Sequence, residues 1–364
     1  MSLPDRVMQS EYMNWAKIHV NAPYNIGASG VANYPLSSLP VTLEELEITG
    51  DSFYGYAPLQ EAISRHTGLP VERVFSALGT SQANHIAMAA LFRPGDEVLI
   101  EQPTYELVVS TALYLGATVV RFPRRTADDF RVLPNEVTRR ITPRTKLVVL
   151  TNLHNPTSAL VDDETLREIG RVCGKVGARV LVDEVYLESA FDMDLRSAAR
   201  LGDEFIVTNS LTKVYGLSGL RCGWVLADPQ LVKAMWRLKD LFESIPPHIS
   251  ERLSVIAFRH LKQIRERSRS MISENRRVLR ETLLRRREIA CLDPGYGTVV
   301  FPELMEGNVE RLADRLMVNY GTLITPGRFF DMPGHFRIGL GGKTEMFREG
   351  MERLCRGLDD LRGG

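Results

Sequence analysis

The sequence has no excess of charge of either sign, because its 45 lysine and arginine residues are balanced by 45 aspartate and glutamate residues. A chain without a net field gives no indication of nucleic acid, an anionic membrane or acidic substrates as partners, so its composition favours small-molecule chemistry. Cysteine is also scarce, and its four residues lie dozens of positions apart: Cys173, Cys222, Cys291 and Cys355. They provide neither a metal-ligand spacing nor the density of a disulfide scaffold, so we expect reduced thiols in the core and no metal site.

Long apolar runs are missing as well. Residues 1–40 contain no charged segment followed by an apolar stretch, and no run elsewhere is long enough to cross a bilayer. We therefore expect a cytoplasmic chain with no membrane partner. Arginine is concentrated in Lys262 to Arg287, but Glu266, Glu274 and Glu281 are interspersed there. This mixture favours a solvated helix face over the alternative of a nucleic-acid surface.

What the sequence does contain, between about Val74 and Asp228, is an alternation of short apolar runs with helical patterns. The apolar runs are Val98 to Ile100, Val119 to Phe122, Leu147 to Leu150, Val180 to Val182 and Phe205 to Val207. The alternation predicts an α/β fold with a mostly parallel sheet sandwiched between helices. One helix is predicted to begin at Asp162-Asp163-Glu164. Another is predicted to begin at Asp228-Pro229, a pair typical of an N-cap and first turn.

The pattern changes after Pro246-Pro247. A long helical stretch is followed by short strands near Thr298 to Phe301 and Phe336 to Leu340, and by a final helix from about Thr344 to Leu361. With 364 residues, of which 44% are hydrophobic, the chain is long enough for two domains. We predict a large domain and a small α+β domain, with the N-terminal segment joining the small one: residues 1–45 (N-terminal segment), 46–245 (large domain) and 246–364 (small domain).

The segment most informative about chemistry begins at Ser210, contains Lys213 and continues to Arg221, directly after the apolar run Phe205 to Thr208. A lysine in a turn at a sheet edge lies where α/β proteins bind ligands. Partial desolvation and a neighbouring cation would lower the pKa of Lys213 toward that of a nucleophilic amine, which Schiff-base chemistry requires. Arg221 can hold a phosphate bidentately, and Ser210 adds a hydroxyl donor. The alternative is a surface pair of lysine and arginine, which the combined spacing with serine and glycine argues against.

This segment resembles the S-x-x-K-x-x-x-x-x-G-x-R-x-G lysine motif of class I and II aminotransferases, which have the aspartate-aminotransferase-like fold (fold type I). The resemblance implies that Lys213 carries pyridoxal 5′-phosphate as a Schiff base, and that Ser210 and Arg221 hold the phosphate. It extends over nearly the whole chain, because further motifs occur in the family's order. It also implies that residues 46–245 form the cofactor-binding domain.

Two further motifs resemble those that contact the cofactor ring. Asp183 and Tyr186 lie in a segment similar to the family's D-E-x-Y, at the end of a buried strand. The resemblance implies that Asp183 keeps the pyridine nitrogen protonated, and that Tyr186 donates to the phenolic oxygen O3′. Asn155 would donate to the same oxygen from a segment similar to N-P-x-N-P-T-G, which departs from the family at Leu153 and Ser158. Without the lysine motif, a helix cap or salt bridge would be favoured for the aspartate, and a simple turn for the Asn-Pro pair.

Three residues match positions around the phosphate and the ring face. Thr80 and Ser81 lie between a strand and a helix, where free backbone N–H groups favour an anion. The resemblance implies a phosphate cradle there, and helix capping is the alternative. Tyr105 lies in a segment similar to E-x-P-x-Y, whose aromatic ring stacks on the pyridine; core or interface packing is its alternative.

The remaining matches concern the substrate and a second subunit. Arg337 lies in a segment that resembles the one whose arginine binds the amino acid α-carboxylate, as guanidinium geometry allows. Gly30 lies in a loop similar to the one that closes over substrate, and Asn155 is also implied to contact substrate. Tyr54 resembles the tyrosine that reaches a neighbouring subunit's phosphate, although the family usually has it where this chain has Gly50. A homodimer is thereby implied.

The resemblance implies an aminotransferase of amino acid metabolism that moves an amino group between an L-amino acid and a 2-keto acid. The alternative is a lyase or cyclase, either a C–S lyase or a capreomycidine-synthase-like enzyme, which Ser29-Gly30-Val31 resembles. Elimination needs an acid for the leaving group, and His154 is the nearby candidate, although a solvent-facing loop histidine is the favoured interpretation. A non-enzymatic sensor of the cofactor is less favoured, because the sequence has no added helix-turn-helix domain.

Overall fold

A computed structural model describes residue 7 and residues 9–362 of the chain. Its strands are β1 (Tyr24–Asn25), β2 (Val74–Leu78), β3 (Glu97–Gln102), β4 (Thr118–Pro123), β5 (Thr145–Thr151), β6 (Arg179–Asp183), β7 (Phe205–Ser210), β8 (Cys222–Leu226), β9 (Ile289–Ala290), β10 (Val299–Val300), β11 (Glu303–Leu304), β12 (Thr322–Leu323), β13 (Thr325–Pro326) and β14 (Phe336–Gly339). Its helices are α1 (Glu11–Ile18), α2 (Ala57–Thr67), α3 (Gly79–Leu91), α4 (Glu106–Tyr114), α5 (Pro134–Thr138), α6 (Asp163–Gly174), α7 (Pro229–Lys239), α8 (His248–Arg259), α9 (Leu261–Thr282), α10 (Val309–Tyr320) and α11 (Thr344–Arg362).

The main sheet has seven strands in the order β2-β8-β7-β6-β5-β3-β4. Strand β8 is antiparallel to both of its neighbours, and the other neighbouring pairs are parallel. The predicted α/β fold with a mostly parallel sheet is therefore confirmed. All five apolar runs are strands, and each observed strand extends past the predicted run at one end or at both, because polar residues such as Glu97 and Asp183 continue the ladder.

Helices cover both faces of this sheet. One face packs against α3, α4 and α7 through side chains such as Ile86, Val108 and Val232, and the other packs against α2, α6 and α8. The predicted N-caps are confirmed. The Asp162 carboxylate accepts a hydrogen bond from the backbone N–H of Thr165, and Asp228 accepts two in the first turn of α7. These caps fix the residues at which α6 and α7 begin.

The C-terminal part forms a separate core against the first strand of the chain. Strand β1 pairs in parallel with β12, and β14 lies between β10 and β13. Side chains of α9, α10 and α11 fill this core together with Ile26 from the N-terminal segment. From there the segment crosses to the large sheet, where the Val31 N–H donates to the Lys213 carbonyl oxygen at 2.8 Å. Residues 24–31 therefore connect the two cores.

The domain boundaries at residues 45 and 245 stay a prediction. Of the predicted N-terminal segment and small domain, residues 1–6, 8, 363 and 364 lie outside the described residues. Val255 and Ile264, which follow the second boundary, pack in the core of the large sheet. The long helical stretch is divided into α8 and α9. On the exposed face of α9, Arg277 pairs with Glu274 and Glu281, as a solvated helix face requires.

The cysteine prediction needs one correction. All four thiols are free, and Cys173 and Cys222 are buried. Cys291 and Cys355 are only half-buried, because one follows the short strand β9 and the other lies on the flank of α11. No helix within residues 9–362 combines the length and apolar character needed to cross a membrane.

Candidate active site

A cavity of about 360 Å³ opens at one edge of the large sheet. The parallel strands β5, β6 and β7 end there, β8 begins there, and α3 begins there after β2. The carboxyl ends of parallel strands are where open α/β sheets bind ligands, and the volume lies in the range of small-molecule sites. The predicted residues that line this cavity are Gly30, Thr80, Ser81, Tyr105, Asn155, Asp183, Tyr186, Ser210, Lys213 and Arg221.

Lys213 extends from the turn after β7 into this cavity. Its Nζ donates a hydrogen bond to Ser29 Oγ at 3.1 Å, and the Tyr186 hydroxyl donates to the same oxygen at 2.9 Å. Burial, helped by the cations of Arg337 and Arg221, lowers the pKa of Lys213 below its usual value, although nearby Tyr12 and Asp183 oppose this shift. A lysine with a lowered pKa is a better nucleophile at neutral pH.

Donors for an anion converge on the first turn of α3. Thr80 Oγ1 donates to Ser210 Oγ at 2.9 Å, and the Arg221 guanidinium donates to the Leu78 carbonyl oxygen at 3.1 Å. Gly79 has a φ of 79°, which L side chains rarely adopt, and a Cβ atom there would also collide with this guanidinium, so the backbone favours glycine at this position. Hydroxyl groups, a guanidinium and a helix N-terminus together form a site suited to phosphate.

Asp183 lies at the end of β6 in a buried set of hydrogen bonds. Its carboxylate accepts from Asn84 Nδ2 at 2.9 Å and from the Val185 N–H at 3.1 Å. The Asn84 side chain is itself oriented by Thr208, which donates to Asn84 Oδ1 at 2.6 Å. Burial raises the pKa of Asp183 to about 6, despite these hydrogen bonds. A carboxylate held in this way favours a cationic partner.

We expect this raised pKa to make the stability of the cofactor-free protein depend on pH. Between the ordinary value of 3.8 and about 6, folded Asp183 binds more protons than unfolded Asp183, so its contribution to stability falls as the pH rises through this window. Asp183→Asn removes the titration. The unfolding free energy of the variant relative to the natural chain should therefore rise by about 1 to 3 kcal/mol from pH 4 to pH 7.5. Urea unfolding at the two pH values measures this, and an unchanged difference would contradict it.

Arg337 lies on β14 and is fully buried behind the cavity wall. Its Nη1 donates to Asn155 Oδ1 at 3.0 Å, and its Nη2 donates to the Tyr12 hydroxyl at 2.7 Å and to the Gly27 carbonyl oxygen at 3.0 Å. Its Nε has no hydrogen-bond partner within residues 9–362. Among the described residues, Arg337 forms no ion pair with a carboxylate. A buried cation without a counter-ion is costly, so this arrangement favours an anionic ligand.

The family model for class I and II aminotransferases matches residues 45–354. This chain belongs to that family. It is 28% identical over 353 residues to capreomycidine synthase of Streptomyces vinaceus, an alignment that covers 93% of this chain and 91% of that protein. It is 29% identical over 315 residues to the arginine–pyruvate transaminase of Pseudomonas aeruginosa, covering 84% and 80%. A solved structure of a PLP-dependent aminotransferase from Streptococcus suis aligns with a TM-score of 0.91 and 26% identity, covering 99% of each chain.

Pyridoxal phosphate is the cofactor of class I and II aminotransferases, and the described cavity fits it. The hydrogen-bond donors around Arg221 suit the phosphate of the cofactor. The guanidinium can lie against the start of α3 because Gly79 has no side chain. Asp183 suits a protonated pyridine nitrogen, because the carboxylate is buried and held by two hydrogen bonds. Lys213 supplies an amine in the same cavity.

Three residues of this aminotransferase-family site were missed in the sequence. Tyr12 on α1 contacts Arg337, Ser29 contacts both Lys213 and Tyr186, and Asn84 holds Asp183. The sequence did contain a signal for Tyr12, the pattern of an amphipathic helix. Ser10 caps α1, where its Oγ accepts from the Met13 N–H at 3.1 Å, and Tyr12, Trp15 and Ala16 follow with the spacing of one helix face.

The prediction for His154 is wrong in both of its forms. The side chain is fully buried, so it is not a solvent-facing loop histidine, and it does not line the cavity as an acid would. Its Nε2 lies 2.9 Å from the Pro103 carbonyl oxygen and its Nδ1 lies 2.7 Å from Thr157 Oγ1. Burial, followed by the nearby Arg124, lowers the pKa of His154 well below its usual value. A neutral ring that donates to the carbonyl and accepts from the threonine fits these contacts.

The structure places two other predicted residues in unexpected surroundings. Gly30 lies against the stem of Lys213, since a Cβ atom there would contact the lysine Cδ at 3.4 Å. Tyr54 lies on the surface outside this cavity, where its hydroxyl donates to Asp240 Oδ2 at 3.3 Å. The predicted contact between Tyr54 and a partner's phosphate stays a prediction.

Proposed function

We propose that this chain is an aminotransferase that moves an amino group between an L-amino acid and a 2-keto acid. Arg337 carries the proposal. Its buried guanidinium contacts Tyr12, Asn155 and Gly27, all of which line the cavity, and it has no carboxylate partner among the described residues. The planar α-carboxylate of an amino acid matches a guanidinium in charge and geometry. The same cavity presents the Lys213 amine, so the carboxylate and the reacting carbon are held in one site.

The residues around the cofactor divide between holding it and moving a proton. Thr80, Ser81, Ser210 and Arg221 would hold the phosphate, and the Tyr105 ring would pack on the pyridine. When bound, the cofactor ring would withdraw the electrons released as a bond at the substrate α-carbon breaks. Lys213 Nζ would accept the proton from the α-carbon as a base, and the ammonium group formed would then serve as the acid, because the lowered pKa of the lysine suits both roles.

Three side chains set the charge of the ring and the polarity at its oxygen. Asp183 would keep the pyridine nitrogen protonated, and the hydrogen bond from Asn84 fixes the carboxylate in place. Tyr186 and Asn155 would donate to O3′, and the Tyr186 hydroxyl would then turn from Ser29 Oγ, to which it donates without the cofactor, toward this oxygen. Because Asn155 Oδ1 already accepts from Arg337, its Nδ2 is the group available as a donor, so one amide links substrate recognition to the cofactor.

A second candidate is elimination, with or without cyclisation. It is favoured by the similarity to a capreomycidine synthase over 93% of the chain. Elimination needs an acid for the leaving group, and Tyr12 replaces His154 as the candidate, because it lines the cavity. Burial by itself would raise the pKa of Tyr12, but the cations of Arg337 and Lys213 lower it below its usual value. We prefer transamination, because the Tyr12 hydroxyl accepts a hydrogen bond from Arg337 and so lies beside the proposed position of the α-carboxylate rather than beside a leaving group on the side chain.

A half-reaction without a keto acid acceptor separates the two candidates. We expect each subunit to release one equivalent of 2-keto acid from its best amino acid and then stop, and to resume when a keto acid is added. Chromatography with mass detection of the keto acid measures the stoichiometry. Repeated turnover with release of ammonia would contradict transamination, and loss of that turnover in Tyr12→Phe would establish elimination with Tyr12 as the acid.

We also propose a homodimer. Exposed apolar side chains occur in two segments, residues 43–53 and 241–245, which a hydrogen bond between Tyr54 and Asp240 brings together. The exposed side chains are Leu43, Ile48, Phe53, Leu241, Phe242 and Ile245. A cluster of this kind marks an interaction surface, and its position beside Tyr54 is compatible with a tyrosine that reaches a second subunit. A cytoplasmic location stays a prediction.

A further inference from the structure

Ser29 lies where the N-terminal segment passes the Lys213 amine. It is buried and lines the cavity. Its Oγ accepts two hydrogen bonds, one from Lys213 Nζ at 3.1 Å and one from the Tyr186 hydroxyl at 2.9 Å. A serine oxygen has two acceptor lone pairs, so these contacts use both of them. The Ser29 hydroxyl is therefore a specific contact of the lysine amine.

The backbone around Ser29 is held from the other side by the C-terminal core. The Ser29 carbonyl oxygen accepts a hydrogen bond from Thr298 Oγ1 at 2.8 Å, and Thr298 is fully buried. Strand β14 packs directly against the preceding residue, because a Cβ atom at Gly339 would lie 1.6 Å from the Ala28 carbonyl oxygen. These contacts leave the Ser29 hydroxyl little freedom to move away from the amine.

The same segment also contacts the proposed carboxylate site. The Gly27 carbonyl oxygen accepts from Arg337 Nη2 at 3.0 Å, and Ser29, two positions later, accepts from Lys213. Two residues of chain span at most about 7 Å, so these two contacts lie close together. In an amino acid, one bond joins the carboxylate carbon to the α-carbon. A base that acts on the α-carbon must therefore lie at a defined distance from the group that binds the carboxylate.

We propose that Ser29 is a positioning residue, which holds the Lys213 amine beside the α-carbon of an amino acid whose carboxylate lies at Arg337. This inference rests on the proposed function, because it takes Lys213 Nζ to accept the α-proton. When Nζ is free of the cofactor, Ser29 Oγ accepts one of its N–H groups, and the nitrogen lone pair stays available for the proton. Since Tyr186 would turn toward O3′ when the cofactor is bound, Ser29 Oγ stays available to the lysine.

Three variants separate this role from simple packing. Ser29→Ala removes the hydroxyl, and Ser29→Thr keeps it. Ser218→Ala is the matched control, since Ser218 donates to Asn33 Oδ1 at 3.4 Å outside the cavity. An oxygen accepts a stronger hydrogen bond from an ammonium group than from a neutral amine. The contact with Ser29 therefore favours the protonated lysine, and its loss should lower the pKa of Lys213 further.

Competitive labelling of the cofactor-free protein with acetic anhydride measures the amine without any turnover. The rate at which Lys213 is acetylated at each pH, obtained from the mass of its peptide, gives the apparent pKa of the lysine. We expect Ser29→Ala to lower this pKa by about one unit, and Ser29→Thr and Ser218→Ala to change it by less than about 0.3. The charged or titratable groups that act on Lys213 are unchanged in these variants: Tyr12, Asp183, Arg221 and Arg337. An unchanged pKa in Ser29→Ala would overturn the proposal.

A single-turnover reaction of the cofactor-loaded enzyme measures the orientation of the amine. The substrates are L-alanine and the best donor of the half-reaction. We expect Ser29→Ala to slow release of the 2-keto acid by about threefold to tenfold, with the dissociation constant of the amino acid changed less than about twofold. Ser29→Thr should recover the rate at least in part.

Two other outcomes have distinct meanings. Weaker amino acid binding in Ser29→Ala, with an unchanged rate of keto acid release, would overturn the proposal and make Ser29 a substrate contact. Repeated turnover of the natural chain with release of ammonia would contradict transamination. The labelling experiment would then still decide whether Ser29 holds the amine, because it involves no substrate.

Discussion

Replacing Lys213 with alanine is expected to abolish covalent attachment of the cofactor and to lower kcat by about 10⁴-fold or more. Lys213 is proposed to supply both the amine that carries the cofactor and the base that moves the proton, and the loss of general acid–base catalysis alone costs about 10²- to 10⁴-fold. The fold should persist, because within the described part of the chain the side chain donates a single hydrogen bond, to Ser29. Absorbance of the purified protein and steady-state kinetics measure the two effects.

Borohydride reduction followed by peptide mapping identifies the attachment site directly. The natural chain should carry the reduced cofactor on Lys213. Lys239→Ala is the matched control, since Lys239 is buried but pairs with Glu243 outside the cavity, and it should leave the attachment unchanged. A reduced adduct on any lysine other than Lys213 would refute the assignment.

Replacing Arg337 with alanine is expected to weaken amino acid binding by about 1.5 to 3 kcal/mol, the contribution of a charge-assisted hydrogen-bonded pair. This corresponds to a rise of about tenfold to 150-fold in the dissociation constant. Retention of the cofactor should hardly change, because among the described residues proposed to hold the cofactor Arg337 donates a hydrogen bond to Asn155 and to no other. Arg337→Lys should recover part of the loss, since it restores the charge without the bidentate geometry.

Spectroscopic titration with an amino acid and with the free cofactor separates the two outcomes. Arg328→Ala is a suitable control, because Arg328 is exposed and pairs with Glu310 on the surface. It should leave both affinities unchanged. Loss of the cofactor from Arg337→Ala with normal amino acid affinity would mean that Arg337 belongs to the cofactor site.

The fold was predictable where a local pattern determines it. A run such as Leu147 to Leu150 is buried on both faces, so it appears as continuous apolar sequence, and the caps at Asp162 and Asp228 are read from adjacent residues. The ends of strands were less predictable, because a polar residue such as Glu97 continues the ladder through backbone pairing that its side chain does not reveal. The direction of β8 is likewise set by its neighbours in the sheet.

The candidate site was predictable where one motif carries several residues. Ser210, Lys213 and Arg221 lie close together in the chain and line the same cavity. Tyr12 and Asn84 were missed because their importance depends on distant partners, Arg337 and Asp183. His154 was misjudged for the same reason, since its buried ring contacts the Pro103 carbonyl oxygen, which is distant in the chain. The role of a residue can be predicted from the sequence when it depends on neighbours in the chain. It cannot be predicted when it depends on contacts with residues that are distant in the chain.

The parallel pairing of β1 with β12 has a consequence for the order in which the protein matures on the ribosome. Residues that line the cavity from Thr80 to Arg221 are synthesised before translation reaches β12 and Arg337. Strand β1 therefore has no partner strand until the last part of the chain emerges from the ribosome. A nascent chain thus holds the groups proposed to bind the cofactor before it can complete the carboxylate site, so cofactor capture can precede substrate recognition during synthesis.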